Sequence, residues 1–474
     1  MSQSPHPSDP AAVDEGVLAE ARAEASVPSS ASRADAGVEA DHAGPTPAAA
    51  PVGSLWRDRN FLTMWSGQTL SQFGAQVTEL AVPVLAVLLL NATEWQVGVL
   101  NAANVAAFLL VGLPAGAWID RMRKRHVMIA ADLVRAAALA LVPLLWMLGM
   151  LQMWHLVAIM AVVGIATVFF DVSYQSIVPS LVRPNQIAEA NGKLQSSYEL
   201  ANIAGPGFGG WLVGLITAPL AVLATAGTYV VSAVALLFTR DHEPPRAIED
   251  RGPILREIWE GLHFVFTEKL LRRIVGTTGT SNFFSTVSGT LLPLFLLRDL
   301  GFTPVSLGLI FSLGAVGGLL GAMATPHIVR WIGEARAIPV SALGFSIIGL
   351  VVPLAAAVPA IAFPLLVAQA FVMSFTVLLY NITQVTFRQR ITPMRLLGRM
   401  NASVRFVVWG VMPIAALLAG LLGTWLGVLP TMWIGAIGQL LSAAFVVFGP
   451  FWAMRELPDV HTSAASADET PPEK

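Results

Sequence analysis

The chain has 474 residues, of which 55% are hydrophobic and 12% are charged, and its formal net charge is -2. Soluble proteins average about 25% charged residues, so this composition argues against one large soluble core and predicts many membrane spans. There is no cysteine, which excludes a disulfide framework, a thiolate nucleophile and a cysteine-ligated metal, and there is no basic soluble domain for binding nucleic acid.

The first 55 residues are rich in Ala, Pro, Ser and acidic residues. They contain too few large apolar side chains to offset the entropy of ordering, which predicts a disordered acidic cytoplasmic tail. A signal peptide would begin with basic residues followed at once by an apolar run, and this pattern is missing. We expect a second disordered tail at 455–474.

Twelve apolar runs follow, each near the roughly 20 residues that a helix needs to cross a bilayer. The predicted spans are 61–90, 96–119, 127–148, 154–174, 194–215, 219–238, 274–297, 304–325, 338–357, 359–383, 400–422 and 428–452. The predicted fold class is an all-α membrane protein with two six-helix bundles. These bundles occupy 56–238 and 274–454, and the charged central loop 239–273 includes a short surface helix at 254–268.

The distribution of basic residues predicts the orientation. With both termini inside, the six outer loops contain a single Lys or Arg, Arg298. Because Lys and Arg in short loops mark the cytoplasmic side, we expect both termini in the cytoplasm of a multi-pass protein of the cytoplasmic (inner) membrane.

The most informative stretch joins the second and third spans and reads GLPAGAWIDRMRKR. Two glycines four residues apart allow a neighbouring helix to approach closely, and a carboxylate followed by cations marks a membrane surface. The residues that we assign to this loop are Gly112, Gly116, Asp120, Arg121, Lys124 and Arg125. A simple stop-transfer loop is the alternative, but it needs only the basic residues.

The two halves of the chain repeat. At an offset of 205 residues, Gly112, Gly116 and Arg125 match Gly317, Gly321 and Arg330, whereas Asp120 falls on Thr325. At an offset of about 210 residues, Pro184 and Asn191 correspond to Pro393 and Asn401. Duplicated halves around a central loop are typical of transporters whose substrate site lies between the halves.

These motifs resemble those of the major facilitator superfamily. The loop Gly116-x-x-x-Asp120-Arg121-x-x-Lys124-Arg125 is similar to the loop signature of that family, and the fifth span contains a sequence similar to its GPxxGG exporter signature. The exporter-motif residues are Gly205, Pro206, Gly209 and Gly210. The stretches around 132–135 and 179–195 resemble the branch that includes the enterobactin exporter and macrolide-efflux proteins.

The resemblance implies alternating access by two bundles that rock about a central site. It also implies that Asp120 docks near the start of the eleventh span, around 400–404, when the cavity faces outward. A carboxylate is favoured at a helix N-terminus, in agreement with that position. Arg121 and Arg135 would hold Asp120 or Asp132 in a charge network.

Polar residues share one face of the first span. Gln68, Gln72, Gln76 and Glu79 follow one another at steps of four, four and three residues. Polar groups are costly in hydrocarbon, so this face is expected to look into the bundle or a cavity. Glu79 is suited to proton coupling or to binding a substrate cation, or it is a structural carboxyl bonded to a neighbouring helix.

Three further charged residues lie within predicted spans: Asp171, Glu199 and Arg405. They are candidates for pairs that gate the cytoplasmic side, and static ion pairs at helix ends are the alternative.

No phosphate-binding loop and no His/carboxylate set with metal-ligand spacing is present, so we expect no cofactor and no enzyme activity. We expect proton-coupled efflux of a small amphiphilic compound such as a drug, siderophore or secondary metabolite. The expected partners are this small molecule, protons and the lipid bilayer, without nucleic acid, and the expected state is a monomer. A nutrient importer or facilitator and a non-transporting membrane receptor or scaffold remain alternatives.

Overall fold

The computed structural model describes residues 55–119, 122–240, 254–393 and 396–454, and these ranges contain helices and no strand. The first half contributes α1 (Arg59–Val84), α2 (Glu94–Ile119), α3 (Lys124–Met147), α4 (Met153–Leu181), α5 (Ile187–Ile216) and α6 (Ala218–Phe238). The second half contributes α7 (Ile254–Thr267), α8 (Lys269–Leu294), α9 (Pro304–Ile332), α10 (Glu334–Gly349), α11 (Ala362–Ile391), α12 (Leu397–Leu426) and α13 (Val428–Ser442).

Eleven helices in the described ranges are long and apolar enough to cross a membrane. The remaining long helix, α5, has a polar first half with Glu189, Lys193 and Glu199, and a glycine-rich second half. It nevertheless packs along α1 and α9, as a member of the membrane bundle does. The predicted architecture of twelve long membrane helices plus the surface helix α7 is therefore confirmed.

The two halves are related by an offset of 210 residues, which agrees with the match of Asn191 to Asn401 and corrects the offset of 205 used for the glycines. Helices α5 and α12 begin and end 210 residues apart, and so do the five-residue π-helical segments Leu85–Leu89 and Phe295–Asp299 that continue α1 and α8. Glycines four residues apart recur in many registers, which caused the error. Gly317 and Gly321 pack against the backbone of Phe371 and Phe375 in α11.

We call the end of the molecule where α1 begins and α2 ends the basic face, and the other end the opposite face. Several helices extend further at the basic face than predicted: α4 ends at Leu181, α9 at Ile332 and α11 at Ile391, and α5 already begins at Ile187. Their additional turns contain polar or charged residues among the apolar ones, so the hydrophobic runs alone did not include them.

Arginines at the basic face cap the C-terminal end of the last helix region in each half. Arg125 donates to the carbonyl oxygens of Leu236 (2.8 Å) and Leu237 (2.6 Å) at the end of α6. Arg273 donates to the carbonyl oxygens of Phe445 (2.9 Å) and Phe448 (3.3 Å), which lie in and directly after the short helix Ala444–Val447 that follows α13. The last carbonyls of a helix lack helical partners, so a cation there satisfies them and interacts favourably with the helix dipole.

The surface helix α7 covers the start of α12. Its Val265 is fully buried in a cluster with Met400, Val404 and Val408. Glu260 of α7 also forms a salt bridge with Arg399 of α12. The region where Asp120 is expected to dock is therefore already packed against α7.

Several predictions lie outside the described residues. They concern the tails, for which residues 1–54 and 455–474 are not described, the part of the central loop at 241–253, and the gating residues Asp120 and Arg121.

Candidate functional site

A cavity of about 590 Å³ lies between the two bundles. It is lined by residues of α1, α5, α9 and α11: Gln76, Glu79, Leu80, Gln195, Glu199, Asn202, Pro206, Phe311, Ala315, Gly318, Leu319, Ala322, Ser374 and Leu378. The first bundle supplies most of the polar groups, whereas the second supplies mainly small and apolar side chains. Pockets for small molecules have a similar volume and a similar mixture of apolar walls with few polar groups.

Hydrogen bonds fix the polar wall of the cavity. Gln76 Nε2 of α1 donates to Asn202 Oδ1 of α5 at 2.7 Å. On α5, Gln195 Nε2 donates to Glu199 Oε1 at 2.7 Å. The exposed Glu79 lines the same cavity, and within the described ranges its carboxylate has no hydrogen-bond or ion-pair partner. This carboxylate is therefore open to a proton or to a ligand.

The exporter-motif residues lie where α5 meets two other helices. A Cβ on Gly205 would lie 2.5 Å from Gln76 Cβ, and one on Gly209 would lie 3.1 Å from Val77 Cα, so these glycines allow α5 to touch α1. Gly210 faces α9 in the other bundle, where a Cβ would lie 2.5 Å from the carbonyl oxygen of Pro304. The motif thus allows close helix packing both within the first bundle, between α5 and α1, and across the interface, between α5 and α9.

Pro206 weakens α5 at this crossing because it has no N–H and breaks one helical hydrogen bond. The next residue, Gly207, donates its N–H to Ser312 Oγ of α9 at 2.7 Å. A Cβ on Gly308 of α9 would lie 2.3 Å from the carbonyl oxygen of Pro206. This segment of α5 is therefore held by the opposite bundle.

The α2–α12 crossing repeats this arrangement on the other side of the interface. A Cβ on Gly98 would lie 2.8 Å from Gly420 Cα, and Gly98 and Gly420 stand 210 residues from Gly308 and Gly210. Asn101 Nδ2 of α2 also donates to Thr290 Oγ1 of α8 at 2.7 Å. These contacts between bundles lie near the opposite face, and the cavity lies on the basic-face side of the α5–α9 crossing.

The first bundle contains a buried ion pair. The Asp132 carboxylate and the Arg135 guanidinium of α3 form a salt bridge, with side-chain exposures of 0% and 5%. The guanidinium carbon of Arg135 lies 4.3 Å from the centre of the Phe170 ring and 4.2 Å from that of Tyr229. The pair ties α3 to α4 and α6, and it is the described part of the charge network implied by the family resemblance.

The three candidate gate residues do not meet in this conformation. Glu199 bonds Gln195, and Arg405 lies 5.4 Å from the centre of the Trp409 ring. Asp171 is an exposed residue of α4. In the described part of the chain none of the three forms a salt bridge. At the offset of 210, the counterpart of Arg405 is Gln195, one turn from Glu199.

The remaining predicted residues take different positions. Gly112 and Gly116 belong to the last part of α2, and Lys124 is buried at the start of α3. Gln72 is half-buried and Gln68 is buried, and neither lines the cavity.

Gln195 and Asn202 were not predicted as site residues from the sequence. With Glu199 and Pro206 they follow steps of four, three and four residues along α5, a polar stripe like that of α1. This spacing was available as a signal. Ser312 and Phe311 had no comparable signal because their role depends on how α5 and α9 cross. Among the described residues, no group of His and acidic side chains is arranged to hold a metal ion.

Two duplicated six-helix bundles with a cavity at their interface define a membrane protein of the secondary-transporter class. Residues 64–416 match the Major Facilitator Superfamily, and the chain belongs to this family. It is accordingly a multi-pass membrane protein.

Two relatives are named as efflux proteins. The chain is 27% identical over 403 residues to the multidrug efflux pump Tap of Mycolicibacterium fortuitum, covering 81% of this chain and 93% of the relative. It is 22% identical over 392 residues to macrolide efflux protein A of Streptococcus pyogenes, covering 82% and 94%.

Solved structures show the same fold. A bacterial homologue of the iron transporter ferroportin in the inward-facing state aligns with a TM-score of 0.62 at 16% identity, over 84% of this chain and 100% of the other. A mutant form of the nucleoside transporter NupG aligns with a TM-score of 0.65 at 12% identity, over 82% and 98%.

Proposed function

We propose that the protein is a proton-coupled efflux transporter for small amphiphilic compounds, and that it works by alternating access as a monomer. The observation that carries the proposal is the cavity between the bundles, in which Glu79 has no partner among the described residues and lies beside apolar walls. The names of the two relatives as efflux pumps support the direction of transport.

The basic face is proposed to lie in the cytoplasm of the inner membrane, because short loops rich in Lys and Arg remain on that side. The bundles touch near the opposite face, and the cavity lies on the basic-face side of the α5–α9 crossing. In this orientation the cavity lies on the cytoplasmic side of that crossing, which supports the proposal of an inward-facing state that receives a compound from the cytoplasm. Rocking of the bundles then exposes the cavity to the outside.

Two features of the cavity favour cationic amphiphiles. Among the described residues that line it, Glu79 and Glu199 are acidic and none is Lys, Arg or His. A volume of about 590 Å³ suits a drug-sized molecule. A proton and a cationic compound would compete for Glu79, which is the simplest way to couple proton entry to release of the compound.

The first prediction concerns Glu79. Cells that express the protein should accumulate several-fold less of a fluorescent cationic probe such as ethidium than cells with an empty vector, and a protonophore should abolish the difference. Glu79→Gln should lose this efflux, because the amide can neither exchange a proton nor attract a cation. Glu268→Gln is the matched control, since Glu268 is exposed on the basic face and does not line the cavity.

The outcomes separate the alternatives. Efflux that persists with the protonophore would refute proton coupling, and higher accumulation in expressing cells would indicate an importer. If expression changes the accumulation of neither ethidium nor a macrolide, in cells where membrane insertion is verified, export of amphiphiles is wrong.

A further inference from the structure

Arg298 occupies an unusual position at the opposite face. It is the single Lys or Arg in the six loops expected on that side. Its Nη2 atom lies 3.0 Å from the carbonyl oxygen of Ala92 and 3.5 Å from that of Val87, so it donates from the end of α8 to the end of α1 in the other bundle. Arg298 of the second half thus caps the C-terminal end of α1 in the first half.

The acceptors belong to an irregular helix end. The segments Leu85–Leu89 and Phe295–Asp299 are both π-helical and contact each other across the interface. π-helical turns are rare and occur frequently at functional sites. The last carbonyl oxygens of a helix lack helical partners, so the end of α1 is a favourable site for a guanidinium donor. The two segments form the outer ends of the pair α1 and α8.

The same helix connects this end to the cavity. Pro83 has no N–H, so the carbonyl of Glu79, four residues earlier, loses its helical hydrogen bond. The π-helical segment begins two residues after Pro83. The stretch of α1 between the cavity carboxylate and the end bound by Arg298 therefore includes a weakened turn, where the helix can bend.

The second copy of this arrangement lacks the bridge. The counterpart of Arg298 at the offset of 210 is Leu88, which is half-exposed. The π-helical segment is nevertheless built with the same length in both halves. The π-helical segment Leu85–Leu89 therefore forms with leucine rather than arginine at the position equivalent to Arg298.

We infer that Arg298 is a positioning residue that latches the opposite face in the closed state. Its guanidinium must leave the carbonyls of Ala92 and Val87 whenever that face opens, so the strength of this bridge sets the balance between the closed and open forms. The inference rests on the alternating access proposed above and adds the residue that holds one of its two states.

The test measures conformation directly. The chain has no cysteine, so Met150→Cys and Ile361→Cys, on exposed loop positions of the two bundles at the opposite face, accept spin labels without further changes. In Arg298→Leu the longer inter-label distance should gain population about fivefold relative to the shorter one, as expected for loss of a charged hydrogen bond that is partly exposed to solvent. Arg298→Lys should give an intermediate shift, because it keeps the charge and loses the planar fork.

Exchange of the two related residues provides the control for folding. Leu88→Arg places a guanidinium beside the equivalent carbonyls of Leu297 and Phe302, so the double variant Arg298→Leu/Leu88→Arg should return the distances towards the closed form. Unchanged distances in Arg298→Leu would overturn the latch, and so would a double variant as open as the single one. If Arg298→Leu is too unstable to label, Leu88→Arg alone must lower the open population, or the inference is wrong.

These outcomes are independent of the test for Glu79. A shift in distances without any efflux by the unmodified protein would keep the latch and remove the proposed transport. Efflux that depends on Glu79, together with unaltered distances in Arg298→Leu, would support the proposed transport and refute the latch.

Discussion

The two halves of the molecule share their scaffold and differ in their chemistry. Glycines at the bundle crossings, prolines near the outer ends of α1 and α8 and the two π-helical segments recur at the offset of 210. Three charged residues inside the first bundle do not recur: Glu79, Asp132 and Arg135 correspond to Gly289, Ala342 and Phe345. The positions that bring the bundles together are thus duplicated, whereas the cavity carboxylate Glu79 and the buried ion pair belong to the first half alone.

The buried pair is the clearest example of this difference. In the first half Arg135 is enclosed by Phe170 and Tyr229. In the second half Phe345 packs edge-on against Tyr380, with ring centres 5.5 Å apart. The same space between helices is filled by an ion pair in one bundle and by aromatic rings in the other.

The largest expected effect comes from breaking that pair. Arg135→Met should lower the free energy of unfolding by about 3–5 kcal/mol, because it leaves the Asp132 carboxylate buried without its counter-charge. Thermal unfolding of the purified protein in detergent measures the loss. The double variant Asp132→Ala/Arg135→Phe copies the residues of the second half and should recover much of the stability. If the double variant is no more stable than the single one, the residues of the second half cannot replace the ion pair of the first half.

The bundle crossings should behave alike in both halves. Gly210→Ala and Gly98→Ala place a Cβ 2.5 Å from the carbonyl oxygen of Pro304 and 2.7 Å from that of Ala416. Overpacking of this kind costs about 1–3 kcal/mol, so each variant should reduce efflux roughly tenfold by hindering closure of the opposite face. Gly227→Ala, where a Cβ would contact nothing within 4 Å, should transport normally. Normal efflux by only one of the two crossing variants would show that the crossings are not equivalent.

The smallest effect is expected at the basic face, where residues outside the membrane helices pack on the surface of each half. Trp56 lies over Lys193 of α5, with the ammonium 3.8 Å from the ring centre, and Glu260 of α7 pairs with Arg399 of α12. Both partners of the second pair are more than one-third exposed. Glu260→Gln should therefore lower the free energy of unfolding by about 1 kcal/mol or less, as measured by thermal unfolding. A much larger loss would mean that α7 is an essential part of the second bundle.

Much of the architecture was predictable because long apolar runs are limited by bilayer thickness. The surface helix α7 was predictable for the same reason, since its run is too short and too charged to span. Within the polar stripe of α1, Gln76 and Glu79 line the cavity, whereas Gln68 is buried and does not line it. Spacing defines a helix face, and only the packing of neighbouring helices decides which part of that face is open.

Interactions that use the backbone were not predictable. Arg298 binds carbonyl oxygens of a helix end, and such acceptors have no sequence signature. The bond from Gly207 to Ser312 likewise depends on the crossing of α5 and α9. The spacing along α5 indicated that Asn202 lies on a polar face, but its bond to Gln76 was not predictable because it depends on the relative rotation of two helices that are distant in the sequence.

The central claim is that Glu79, which has no counterpart in the second half, couples transport by the two similar bundles to the movement of protons. Purified protein in liposomes with an imposed pH difference tests it most directly, with ethidium movement recorded in wild type and in Glu79→Gln. We predict that wild type concentrates ethidium against its gradient only while the pH difference lasts, and that Glu79→Gln shows no pH-driven accumulation. Equal pH-driven accumulation by the two proteins would contradict the account.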